Sequence, residues 1–190
     1  MTTDSHVEFR HALLREAALG SLLAPERTRL HADWATTLAE LPAPRLTTPA
    51  RLAYHWRAAG DADRALPALL DAAAVAQQQS AFVDASRHLE DALDLWDRCA
   101  GTVQALGLDQ RETLERAVTA ADRGGRTAVA ARRLRELIEL VEPTADGLTV
   151  GTMYARLALM LVETPADALA ACERARQLVP ADPPSAPSGW

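Results

Sequence analysis

Lysine and asparagine are absent from this 190-residue chain, and Ile138 is its single isoleucine. Without lysine there is no Walker A lysine, so Arg123-Gly124-Gly125-Arg126-Thr127 is not a phosphate-binding loop of the usual kind and reads as a helix-ending turn. Aromatic residues make up only 4% of the chain against 48% hydrophobic residues, so the apolar mass is mostly Ala, Leu and Val. Such residues pack helices closely rather than fill a β-sandwich. The longest strongly apolar run, 157–162, falls far short of the roughly 20 residues that span a bilayer, and residues 1–6 lack the basic-then-apolar order of a signal peptide. The expectation is a soluble, cytoplasmic protein.

Charge of one sign is not clustered either. The net charge is -6, and Arg, Asp and Glu alternate as solvated pairs on helix faces do. Duplex nucleic acid requires a concentrated cationic surface, so direct nucleic-acid binding is not expected. The two cysteines, Cys99 and Cys172, lie far apart in sequence and read as reduced, part-buried small apolar residues.

What the sequence does contain is helical periodicity, with apolar residues recurring at three and four positions from Val7 onward. About nine helices are predicted in an all-α fold. The first covers 8–23 with Phe9, Leu13, Ala17 and Leu23 on or near one side, and the second covers 26–41 after Pro25. The third starts at the Thr48-Pro49 cap and stops at Gly60. Asp61 caps the fourth, which tolerates Pro67 in its first turns, and Ser80 marks the next break. The fifth carries Phe82, Ala85, Leu89, Ala92, Leu93 and Trp96. The sixth opens at Asp109 and Glu112 and closes at Gly124-Gly125. The seventh covers 127–141, the eighth 149–162, and the ninth 166–178 after Thr164-Pro165, which repeats the cap-plus-proline device. Residues 181–190 read as a disordered tail.

After four of the turns the same pattern recurs: a small or polar residue, Ala five positions on, an apolar or small residue at nine and an apolar one at twelve. It reads Gly60/Ala65/Leu69/Ala72, Ser80/Ala85/Leu89/Ala92, Gly125/Ala130/Leu134/Leu137 and Glu163/Ala168/Cys172/Ala175. Alanine at the crossing point lets one helix lie close to its partner, and the larger residue a turn later fills the groove. The pattern resembles the second helix of tetratricopeptide repeats. Trp56 stands at that family's first-helix aromatic, and Pro143 and Pro180 stand near its closing proline. The spacings depart from 34 residues, so irregular tetratricopeptide-like pairs in an α-α superhelix are expected over 47–180.

A second resemblance concerns function. Phe9-Arg10-His11-Ala12-Leu13-Leu14-Arg15-Glu16-Ala17, then Leu22-Leu23-Ala24-Pro25-Glu26-Arg27 and Arg29-Leu30-His31, resembles the junction that ends the winged-helix domain and starts the helical arm in large ATP-binding LuxR-type regulators and related signal-transduction ATPases. Leu52-Ala53-Tyr54-His55-Trp56-Arg57-Ala58-Ala59-Gly60-Asp61 with Arg64-Ala65-Leu66-Pro67 looks like the first arm repeat. Ala18-Leu19 departs from the pattern, standing where an aromatic is common. The resemblance implies that residues 1–46 are a junction and that the chain is a non-catalytic interaction or effector-sensing arm of a bacterial transcriptional regulator. The all-arginine bias fits GC-rich coding and an actinobacterial origin. The alternative is a stand-alone tetratricopeptide-like scaffold, or a regulatory domain of a cyclase or kinase.

No site of chemistry stands out beside that reading. The histidines His6, His11, His31, His55 and His88 form no pair at metal-ligand spacing on one helix, and neither Cys172 nor Ser80 sits in a nucleophile motif, so no catalytic residue, cofactor or metal is expected. His11 and His31 are expected to hydrogen-bond at helix packing sites, and Trp34, Trp56 and Trp96 to anchor the core. In a right-handed stack the first helices line a concave groove, which places Tyr54, Arg57, Gln77, Gln78, Glu112, Glu115, Asp122 and Arg123 there to meet a protein or peptide partner or a small effector. Met153, Leu157, Met160 and Leu161 give the eighth helix a broad apolar side. It needs cover from a following repeat or from a second copy, so self-association as a homodimer is expected.

Overall fold

The computed structural model describes residues 20, 22–40 and 48–179. Among them are nine α-helices and a single 3-10 turn: α1 (Ala24–Glu40), α2 (Pro49–Ala58), α3 (Ala62–Gln78), α4 (Phe82–Leu95), the 3-10 turn (Asp97–Cys99), α5 (Ala100–Leu106), α6 (Gln110–Arg123), α7 (Thr127–Val141), α8 (Gly147–Met160) and α9 (Pro165–Leu178). No described residue lies in a strand. The helix expected over 8–23 and the tail at 181–190 lie outside the described residues, Gly20, Leu22 and Leu23 apart.

The turns explain why the repeat begins on a small residue. At Gly60, Ser80 and Gly125 the backbone is left-handed, with φ of 74°, 58° and 70°. Each of the three donates its N–H three residues back, and the next residue donates five back: Gly60 to Arg57 and Asp61 to Trp56, Ser80 to Gln77 and Ala81 to Ala76, Gly125 to Asp122 and Arg126 to Ala121. These are Schellman closures, which satisfy orphan carbonyls at a helix end and favour residues without a bulky Cβ environment. Glu163 heads no such turn; there Thr164 donates to Leu161. Pro165 does open α9, but the Thr164 hydroxyl bonds back to the Leu161 carbonyl and does not cap the helix.

Five residues past each Schellman residue stand Ala65, Ala85 and Ala130, all fully buried, followed by buried Leu69, Leu89 and Leu134. In the fourth occurrence Ala168 is half-buried, Cys172 is exposed and Ala171 is buried instead. The expectation of a part-buried Cys172 is therefore corrected, whereas Cys99 is buried. Without the Schellman turn, α9 enters at a different rotation, and its ninth pattern position turns away from α8.

Apart from α5, each helix packs on the next in sequence, with α4 against α6, and polar contacts link α2 to α4, α4 to α7, α7 to α9, α3 to α6 and α6 to α8, which gives two layers in a zigzag. One layer holds α2, α4, α7 and α9, the other α1, α3, α6 and α8. The apolar interior is accordingly a chain of clusters. One surrounds Ala35, Trp56 and Ala65; one runs from Ala53 through Leu66, Leu69 and Leu89 to Ala117; one runs from Leu114 and Val118 through Leu134 and Val150 to Leu161. Helices nested pairwise along a line, as in an α-α superhelix, bury surface this way.

The stretch between Leu95 and Asp109, to which no helix was assigned from sequence, forms the 3-10 turn and α5. It buries Cys99 beside Trp96 and lengthens the interval between Ser80 and Gly125. Asp109 caps α6 through the Arg111 N–H, and Asp146 caps α8 through the Thr149 N–H, two residues before the expected start. Among the described residues no helix is long and apolar enough to cross a membrane.

Candidate binding surfaces

The eight residues expected to share a groove divide between the two layers. Tyr54 and Arg57 lie on α2, while Gln77 and Gln78 lie on α3 and Glu112, Glu115, Asp122 and Arg123 on α6. Several already have partners. Gln77 accepts from Arg116 at 3.0 Å, Asp122 from Arg156 at 3.0 Å and Glu115 from Arg111 at 2.9 Å, and the Arg123 guanidinium sits 5.2 Å from the Phe82 ring centre. Gln78 and Glu112 are exposed, and Arg57 is paired with Asp91 of α4. The pKa of Asp91 is raised from its ordinary value because its burial outweighs the opposing pull of Arg57.

The charges do more than solvate helix faces. Glu90 on α4 meets Arg126 at 2.7 Å, Arg132, and Arg133 at 3.8 Å, joining α4 to the start of α7. The Arg133 side chain is only 8% exposed and also bonds Glu136 at 2.8 Å and Asp94 at 3.3 Å. Burial pulls its pKa down, but the bonds to Glu136 and Asp94 prevail and hold it above the usual arginine value. Arg126 reaches buried Ser86 at 2.7 Å as well. The partners stand one repeat apart in sequence, a separation that helix-face reasoning at three and four positions does not examine.

At the other end of the stack, His31 of α1 and His55 of α2 bring their Nδ1 atoms to 2.9 Å, so His31 does hydrogen-bond at a helix packing site. Tyr54 meets both rings edge-on, and Trp34 lies roughly parallel to His55 at 6.4 Å. Trp56 and Trp96 are core residues as expected, but Trp34 is 48% exposed and anchors no core. It stands on the outer edge of α1, which buries only Ala35 and Leu38 among its described contacts. His11 lies outside the described residues, where among the described ones no group of three or more His, Cys, Asp and Glu is placed to hold a metal ion.

Two clefts open between helices of one layer. The first, about 470 Å³, lies between α1 and α3 over Leu52 and Trp56, with Arg64 stacked 4.7 Å from the Trp56 ring centre. The second, about 440 Å³, lies between α7 and α9. Its floor is Ile138, Leu157, Leu161 and Ala171, and its rim carries Arg135, Glu139, Tyr154, Asp167 and Arg174. Arg135 faces Asp167 at 3.9 Å across the mouth, and Glu142 accepts from Arg174 at 2.7 Å and from the Tyr154 hydroxyl at 3.4 Å. The bond to Glu142 keeps Arg174 above its usual pKa. An apolar floor with a few convergent polar groups is the ordinary form of a site for a side chain or small ligand.

Leu157 and Leu161 are thus buried inside the chain, with Met153 and Met160 half-buried against the same cluster. The apolar side read from sequence faces inward, into the cluster that α8 shares with α6, α7 and α9. None of the rim residues of the second cleft was singled out from sequence; the available signal was the apolar spacing Ile138, Leu157, Leu161 lying beside arginines on the neighbouring turns. The chain matches no family model, no curated protein and no solved structure.

Proposed function

We propose that this chain is a non-catalytic, tetratricopeptide-like helical domain that binds a peptide or small polar effector, serving as the sensory arm of a cytoplasmic bacterial LuxR-type regulator. The observation that carries the reading is the α7–α9 cleft, where exposed Arg135, Arg174 and Asp167 surround a floor of Ile138 and Leu157. An apolar side chain fills such a floor while the backbone or polar groups of the ligand reach the rim. Support for the regulator comes from the motif between Leu52 and Pro67, in which Trp56 packs under Ala65 at the first Schellman turn. Ligand seated between α7 and α9 favours one spacing of these helices, and a stack transmits that preference to whatever adjoins it.

Thermal-shift screening of the chain against peptides, sugars and nucleotides tests the reading. A ligand at a hundredfold its dissociation constant stabilises by about 2.7 kcal/mol, a rise of roughly 5–10 °C for a chain of this size. The double variant Arg135→Ala/Arg174→Ala should lose that rise while keeping its unliganded Tm. A panel that shifts nothing, or a shift that the double variant retains, removes the cleft from consideration. A reading frame with a P-loop ATPase upstream and a helix-turn-helix downstream is the expected setting.

A further inference from the structure

The cleft between α1 and α3 is charged at its two ends, with opposite signs, and apolar between them. Contacts fix the register of its walls. His31, early in α1, meets His55, late in α2, and Arg64, early in α3, stacks on Trp56, also late in α2. Helix α2 therefore runs antiparallel to both neighbours, and α1 and α3 run the same way. Glu40, Pro49 and Asp71 lie at one end of the cleft, Trp56 and Arg64 at the other, and Leu52, Pro67 and Ala68 between them. Arg64 and Asp71 stand seven residues apart on α3, about 10 Å along its axis. Glu40 and Asp71 have no hydrogen-bond or ion-pair partner among the described residues. The Arg64 guanidinium comes no nearer to Asp61 than 3.6 Å, too far for a hydrogen bond, so its donors are unused there while the Trp56 ring holds it in place.

An occupant complementary to this cleft carries an ammonium at one end, a carboxylate about 10 Å away and an apolar group between. A free tripeptide has that form, because three extended residues span about 10 Å from one terminus to the other. An internal segment of a protein presents neither terminus, and a longer peptide sets its end charges too far apart. We propose that the α1–α3 cleft binds a free zwitterionic tripeptide with an apolar central residue, its amine between Glu40 and Asp71 and its carboxylate on Arg64. The planar guanidinium takes the carboxylate through its donor fork while keeping its seat on Trp56, and the central side chain lies on Leu52, Pro67 and Ala68. The volume of the cleft, about 470 Å³, is that of an ordinary small-ligand site. Glu40 belongs to α1, which buries only Ala35 and Leu38, whereas Asp71 and Arg64 belong to α3. The bound peptide thus ties a loosely held end helix to the stack. This site is separate from the α7–α9 cleft, and each reading stands without the other.

NMR titration of the full chain with alanyl-leucyl-alanine reads this directly. Saturable binding is expected with a dissociation constant on the order of 100 μM, together with greater hydrogen-exchange protection of the α1 amides. Acetylating the amine or amidating the carboxylate of the peptide should each weaken binding about tenfold, and a five-residue peptide of the same character should bind more weakly. Glu40→Gln/Asp71→Asn should bring the free and acetylated peptides to equal affinity, and Arg64→Gln should do the same for the free and amidated ones. The Arg135→Ala/Arg174→Ala variant should bind as the unaltered chain does. Absence of binding up to about 10 mM peptide overturns the proposal, as does equal affinity for the capped or five-residue peptides, a comparison made on the unaltered chain. Loss of binding in the Arg135→Ala/Arg174→Ala variant also overturns it, since that result seats the peptide between α7 and α9.

Discussion

His31 and His55 face each other across the α1–α2 contact, with their Nδ1 atoms 2.9 Å apart. One ring must donate and the other accept, so the bond survives only while at least one imidazole is neutral. Burial lowers the pKa of His55 below 6.5, and the charges of His31 and Arg51 lower it further. The unfolded chain therefore binds more protons than the folded one just below pH 6.5, and stability rises with pH through that interval. It is fully present above the unfolded value and declines as pH falls toward the lowered one. Amides of α1, which is held by few buried contacts, should lose hydrogen-exchange protection between about pH 7.5 and about pH 5.5 after correction for intrinsic rates. His55→Gln should flatten this dependence, and equal protection at both pH values in the unaltered chain would contradict it.

Glu90 holds three arginines from the α7 side, one of them buried. Removing one partner of a buried ion cluster leaves uncompensated charge, and Glu90→Ala should destabilise by about 3 kcal/mol. Asp84 pairs with Arg87 at 3.7 Å with both side chains exposed, so Asp84→Ala should change stability by less than about 0.5 kcal/mol. Urea unfolding with an unchanged m-value separates the two. A loss at Glu90 no greater than at Asp84 would show that Asp94 and Glu136 suffice for Arg133.

The helices were legible in the sequence because each is delimited by local chemistry, such as Thr48-Pro49 or Gly125, and because Leu69, Leu89 and Leu134 sit at fixed distances from those turns. Less legible was anything set by packing between helices. Met153 and Leu157 look alike in an apolar run whether they face a neighbour or solvent, and the rotation of α8 is decided by Gly147 and Gly151, which let α9 approach on one side. The cleft rim failed for the same reason, since Arg135, Tyr154 and Arg174 come from three helices. Residues 97–106 escaped because a 3-10 turn followed by a seven-residue helix is too short to show periodicity.

The two thiols differ in environment and should differ in chemistry. Cys99 is buried, and burial raises its pKa above the usual thiol value, so little thiolate forms at neutral pH. Cys172 is exposed on α9. A thiol reagent such as Ellman's should modify one equivalent quickly and the second only as the chain unfolds. Cys172→Ser should abolish the fast phase, and two fast equivalents in the native chain would place Cys99 at the surface.

Ser80 occupies a backbone conformation that its two counterparts reserve for glycine. Its φ is 58°, against 74° at Gly60 and 70° at Gly125, with the same pair of backbone bonds closing all three turns. A left-handed residue with a Cβ carries about 1–2 kcal/mol of strain. Replacing it with glycine relieves that strain but gives back about 0.4–1 kcal/mol through the greater freedom of the unfolded chain. Ser80→Gly should thus stabilise by about 0.5–1 kcal/mol, a Tm rise of a few degrees. The reverse change, Gly125→Ala, should destabilise by about 1 kcal/mol from backbone strain alone, because no atom lies within 4 Å of the added Cβ. If thermal unfolding shows Ser80→Gly to be destabilising, the turn draws on the serine side chain, and the three closures are not interchangeable.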